Sequence, residues 1–160
     1  MRMKRNRTRG ITKVAVVAAS VAVVAGGLIY AVQPPVPADA KEATLYKNPQ
    51  CECCEGYAKY LRENGYKVTV KATHDLPLIK REHGVSEAFE GCHTTLIDGY
   101  VVEGHVPVKT VNKLLAERPP IKGVSLPGMP MGSPGMTGRK EAPFKMYEIK
   151  EGAPKVYAVE

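Results

Sequence analysis

Three of the four cysteines stand together as Cys51-Glu52-Cys53-Cys54, and the fourth is Cys92. Sulfur at this density can do three kinds of chemistry. Thiolates bind thiophilic ions, Cu(I) first and Zn(II) next, and several thiolates on one turn would suit two or more ions with bridging sulfurs. Cys51 and Cys54 also have the C-x-x-C spacing of thiol-disulfide exchange, in which Cys51 attacks, Cys54 resolves, and Cys53 and Cys92 tune or repeat the step. The third possibility is two structural disulfides. Every pairing needs one bond inside the cluster and one to Cys92; a Cys53–Cys54 link would be strained and Cys51–Cys53 tight, so only Cys51–Cys54 with Cys53–Cys92 is comfortable. Stapling alone leaves three sulfurs in four positions unexplained, and metal binding accounts for them best.

Other donors carry weaker signals. His93 follows Cys92 and is a candidate ligand or supporting donor, although successive residues of a strand point to opposite faces. His105, in Gly104-His105-Val106-Pro107, reads as a buttress or cap of the helix that follows, and His74 and His83 as surface or capping residues. Met129, Met131 and Met136 lie in a Pro/Gly-rich stretch. Thioethers are soft Cu(I) ligands, and Met129 is the candidate among them because it is nearest the domain. The alternative for these methionines is a linker whose side chains plug gaps in the core.

These residues need elements to hold them. A β-favouring run at Ala43–Tyr46 meets the turn Asn48-Pro49 just before the cysteines. A helical spacing of Tyr57, Ala58, Tyr60 and Leu61 predicts a helix over about 54–64, stopped by Gly65. The N–H groups and dipole of that helix start favour thiolate. Lys67–Lys71 alternates as a half-buried strand does, and His74–His83 reads as a second helix ended by Gly84. Thr94–Ile97 and Tyr100–Glu103 flank Asp98-Gly99, a strong hairpin signal, and Pro107 opens a third helix that Pro119-Pro120 stops. The order β-α-β-α-β-β-α makes this an α/β chain and resembles that of thioredoxin-like domains. In that arrangement Gly91-Cys92-His93 lies against the cysteine-bearing helix start. Residues 121–160 read as an irregular Met/Pro/Gly-rich extension with short strands at 144–149 and 155–159.

Charge locates a separate segment. The chain has 160 residues and a formal charge of +7, but six cations fall in the first 13 residues, and residues 41–160 carry only +2. With no basic stripe left in the folded part, nucleic-acid binding is excluded as a reading. Val14–Val32 is free of charge, and Ala38-Asp39-Ala40 follows a proline-rich stretch. Residues 1–40 therefore read as a signal peptide cleaved near Ala40 or an uncleaved anchor spanning 14–32, and either puts residues 41–160 in the periplasm or another extracytoplasmic space. The expected division is 1–40 for the export segment, 41–120 for the metal-binding domain and 121–160 for the extension.

The set of motifs is more specific than any one of them. Leu45-Tyr46-Lys47 ahead of Cys51-Glu52-Cys53-Cys54, Cys92-His93-Thr94, Gly99 through Pro107, Leu114-Leu115 and Pro127-Gly128-Met129-Pro130 together resemble the CopG-like family of exported copper-resistance proteins over about residues 43–136. The resemblance implies a thioredoxin-like fold in the periplasm. It implies copper held by Cys51, Cys53, Cys54 and Cys92 as a multinuclear Cu(I) cluster, and a role in copper detoxification, with interconversion of Cu(I) and Cu(II) as an option. Expected partners are copper ions and either a periplasmic copper exporter or a redox partner. Where ordinary thioredoxins carry a cis-proline before strand three, this chain has His93-Thr94, which speaks against general disulfide exchange. Two alternatives to copper handling stay open: a thiol-disulfide oxidoreductase using Cys51 and Cys54, and a zinc- or disulfide-stabilised interaction module.

Overall fold

The computed structural model describes residues 40–160 apart from Pro154. The expected signal or anchor, all but Ala40, lies outside them. Among the described residues, no helix is long and apolar enough to cross a membrane.

The chain order is β1 (Glu42–Lys47), α1 (Glu52–Glu63), β2 (Lys67–Ala72), α2 (Leu76–Glu82), a 3-10 turn (Glu87–Phe89), β3 (His93–Ile97), β4 (Tyr100–Glu103), α3 (Val108–Glu117), β5 (Gly123–Ser125), β6 (Lys145–Ile149) and β7 (Val156–Val159). All strands join one sheet in the order β2-β1-β3-β4-β5-β6-β7. β1 pairs with β2 in parallel and with β3 antiparallel, and β3 and β4 form the hairpin expected at Asp98-Gly99. Positive φ at both turn residues, 49° and 82°, explains the choice of Asp-Gly there.

Period-two alternation divides the sheet's two faces. Leu45, Ile97, Val102, Val124 and Met146 pack with Tyr57 and Leu61 of α1 and with Val111 and Leu114 of α3 in the main core. Leu96, Val101 and Ile149 turn to the other face and pack with Val85. Lys80, from α2, is buried and reaches Thr94 and Glu103, which alternation places on that second face as well.

Two expectations change. The extension has its expected short strands as β6 and β7, but it is not separate from the domain: β5 pairs in parallel with β4, β6 with β5 and β7 with β6, so the sheet runs through the expected boundary at 120. β5 escapes a sequence reading because it has three residues and begins with a glycine, too short for any periodicity. That glycine is required: a Cβ on Gly123 would overlap the carbonyl of Val101 on the neighbouring strand. The second change is at α1, which begins at Glu52 rather than near Cys54, so that Cys53 and Cys54 fall inside its first turn.

Candidate metal centre

The end of β1 delivers the chain to the cysteines through a tight turn. Cys51 N–H donates to the Asn48 carbonyl at 3.0 Å. Lys47, 4% exposed, folds back over this turn and donates to the carbonyls of Asn48, Pro49 and Cys51 at 3.1–3.3 Å, while pairing with Glu55 at 3.2 Å. Its ammonium thereby fixes the backbone that carries Cys51. Glu52 and Glu55 lie in the first turn of α1, where the helix dipole favours negative charge.

The four sulfurs converge. Cys51, Cys53, Cys54 and Cys92 have ligand atoms all within 4.8 Å of one another. Cys53 Sγ lies 3.5 Å from Cys51 Sγ and 3.7 Å from Cys92 Sγ, and Cys54 Sγ lies 3.6 Å from Cys92 Sγ. Tetrahedral bonds of about 2.3 Å to a shared ion set sulfurs roughly 3.8 Å apart, so these spacings suit metal ligation with little movement. Cys51 and Cys54 are joined by a disulfide, and Cys53 and Cys92 are free thiols. The oxidised chain therefore offers two thiols, and engaging all four sulfurs as thiolates requires two electrons to open the bond.

A second donor group shares Cys92. His105 Nε2 is 2.9 Å from Cys92 Sγ and His93 Nδ1 is 3.4 Å away, and the three residues form a separate cluster of ligand atoms. His105 Nδ1–H donates to the Pro134 carbonyl at 2.6 Å, which leaves the Nε2 lone pair facing the sulfur. His93 is fully buried, stacked 4.6 Å from the Tyr57 ring, and its Nε2 has no hydrogen-bond partner among the described residues. Two imidazole nitrogens beside one thiol, His105 Nε2 and His93 Nδ1, fit a soft or borderline ion. Tyr57 stays in place by donating its hydroxyl to the Val106 carbonyl at 2.8 Å.

The sequence readings for these residues fare differently. The four cysteines and His93 come together; Met129 is 54% exposed on the extension. His105, expected to buttress α3, instead points its ring at Cys92. Its signal was the run Gly104-His105, because a glycine at φ +72° turns the chain out of β4 and aims the next side chain back across the sheet end. Lys47 was also missed, since a lysine closing a strand reads as a surface residue. The extension forms part of the wall: Gly135 packs backbone to backbone on Gly56 and Tyr57 of α1, a contact too close for any side chain on Gly135.

Burial sets the protonation states. It raises the Cys92 thiol to about 12, with the neighbouring Cys53 adding to the rise and Lys80 opposing it. Cys92 is therefore a thiol at neutral pH, and a bound ion must displace its proton. Burial lowers the pKa of His93 well below the usual imidazole value, helped by the positive charges of His105 and Lys80, and burial lowers that of His105 too, against the pull of Pro134. For groups depressed in the folded state, the stabilisation is present above the unfolded value of about 6.5 and is lost as pH falls below it. Metal-free protein should accordingly lose up to about 1.4 kcal/mol per pH unit below that point through His93 alone. Urea melts at pH 7, 6 and 5 check this, and His93→Gln should flatten the slope.

Comparisons with known proteins fit this geometry. The family described as "Protein of unknown function, DUF411" matches residues 89–136, a stretch that holds Cys92, His93, His105, Met129 and Pro134. No functionally curated protein matches the sequence. Two solved structures of a copper resistance protein, CopG in its form 1 and form 2, are each 35% identical and superpose with a TM-score of 0.70, and the match covers 76% of this chain and 98–99% of theirs. The chain belongs to the CopG-like family. Because the match spans essentially the whole CopG chain, it takes in both the cysteine-bearing turn of α1 and the Cys92–His105 segment. A copper-related role and a cysteine cluster able to bind metal follow from this membership and from the sulfur geometry together.

Proposed function

We propose that the chain is a periplasmic copper-binding protein that sequesters or redox-cycles copper, holding Cu(I) in a multinuclear thiolate cluster on Cys51, Cys53, Cys54 and Cys92. The observation that carries this is the convergence of four sulfurs, with three contacts of 3.5–3.7 Å beside the Cys51–Cys54 bond, in a member of a copper-resistance family. His93 and His105 supply nitrogen donors to the copper nearest Cys92, and Met129 is an auxiliary thioether. The copper is cargo or substrate; what this chain's residues do is gather the sulfurs, exclude water with Tyr57 and hold the His105 lone pair toward Cys92. The sheet order β2-β1-β3-β4, with the cysteines leading into α1, supports reading the core as thioredoxin-like. The basic-apolar start of the sequence supports export.

The test is anaerobic loading of the reduced chain with Cu(I), then elemental analysis. More than one copper per chain, lost in Cys53→Ser, supports the cluster; zinc retained in preference to copper would favour the interaction module. One observation supports a second reading. The Cys51–Cys54 bond lies 3.6 Å from the free Cys92 sulfur, an arrangement suited to exchange with a partner dithiol. In that case Cys53→Ser keeps full disulfide-exchange activity and copper uptake stays negligible.

A further inference from the structure

Behind the sulfurs, on the second face of the sheet, lies a pair the copper reading does not use. Lys80 and Glu103 form an ion pair with both side chains almost wholly buried, 3% and 0% exposed. Burying two opposite charges costs desolvation that their attraction seldom returns, so a retained pair calls for a specific role. Its remaining bonds indicate one. Glu103 accepts from the Gly91 N–H at 2.7 Å and from the Thr94 hydroxyl at 2.7 Å, while Lys80 donates to the Gly91 carbonyl at 3.1 Å. Both backbone polar groups of the residue before Cys92 are therefore held by this pair.

That residue needs holding. β3 begins at His93, so Gly91 and Cys92 lie ahead of its first residue, and the final backbone bond across the hairpin is Gly104 N–H to the His93 carbonyl at 3.0 Å. Gly91 also sits tight against Gly104, where a Cβ would come 2.6 Å from the Gly104 Cα. Glu103 is on the strand that leads to His105, and it grips the segment that carries Cys92. One carboxylate thus ties together the two segments whose donors meet at 2.9 Å.

We infer that Lys80 and Glu103 are positioning residues for the metal centre, a buried clamp that sets Cys92 Sγ against His105 Nε2. The clamp rests on the copper reading for its purpose and on the hydrogen bonds alone for its existence. It touches no copper and contributes no ligand.

The test uses the full chain with the double substitution Lys80→Met and Glu103→Leu, which removes the clamp without stranding a buried charge. Circular dichroism and thermal melting establish that it folds. In metal-free protein the rate of Cys92 alkylation by iodoacetamide is measured across pH and referred to the thiolate, so that the loss of the Lys80 charge is divided out. Followed by peptide mass spectrometry against Cys53 as internal reference, that rate should rise about tenfold, the equivalent of one charge-assisted hydrogen bond. Cu(I) affinity measured by chelator competition should fall by a similar factor, with a changed sulfur-to-copper absorption band. Thr94→Val, nearly isosteric, removes one arm and should give a smaller shift in the same direction, which decides the matter if the double variant does not fold. Parent-like alkylation in the folded double variant, or in Thr94→Val where that variant alone folds, overturns the clamp. A parent chain that takes up no copper counts against the proposed function, and the alkylation result still decides the clamp.

Discussion

Cys92→Ser should lower copper uptake more than any other single substitution. Its sulfur is the one atom common to both donor groups, in contact with Cys53, Cys54, His93 and His105 at 2.9–3.7 Å. Losing it removes a bridging ligand from the thiolate cluster and the sulfur that, among the described residues, faces the imidazoles. Changing a supporting residue around a metal ligand already costs 10–100-fold in affinity, so a shared ligand should cost at least about 100-fold. Copper per chain should fall below half the parent value. The fold should survive, because Cys92 is only half-buried and serine keeps its shape, with a melting midpoint within a few degrees. Chelator competition on the two proteins measures it, and equal affinity would remove Cys92 from the site.

The second large effect concerns the Cys51–Cys54 bond. With the bond intact, the free thiols are Cys53 and Cys92; opening it with two electrons and two protons makes four. Reduced protein should therefore take up about twice as much Cu(I) as protein whose disulfide has been preserved, since capacity follows the number of available thiolates. The bond closes only a short loop, so its loss should cost about 2 kcal/mol in chain entropy, too little to unfold the domain. Parallel loading of oxidised and reduced samples, with free thiols counted by Ellman's reagent, separates the cases. Equal copper in both would confine the metal to Cys53, Cys92 and the histidines. The same comparison tests the exchange reading, in which the disulfide itself reacts with a partner and copper is irrelevant.

The sequence was most legible where chemistry and local geometry coincide. The strand before Cys51, the Asp98-Gly99 hairpin and the third helix each carry a short-range signal, and the structure has them within a residue or two. The cysteines were legible for the same reason, since three sulfurs in four positions need no tertiary context. What was not legible depends on partners distant in sequence. β5 exists because Gly123 lets two backbones approach and because β4 offers an unpaired edge, neither of which shows in a three-residue run. Nothing in the sequence sets Lys80 apart from the other cations, and only the sheet brings it to Glu103, 23 residues on. For His105 the glycine before it marks a turn but not a target, because the group that orients the ring is a carbonyl 29 residues later.

That carbonyl has a consequence for when the centre comes into being. Every cysteine precedes residue 93, so the thiols are present early in synthesis, yet the acceptor that fixes His105 belongs to Pro134, in a loop seated on α1 through Gly135. A partly emerged chain carries the thiols without an oriented imidazole. The donor set is complete only after β4 and the extension have wrapped back onto the first helix, so full metal-binding competence arrives as one of the last steps of folding, once most of the chain is in place.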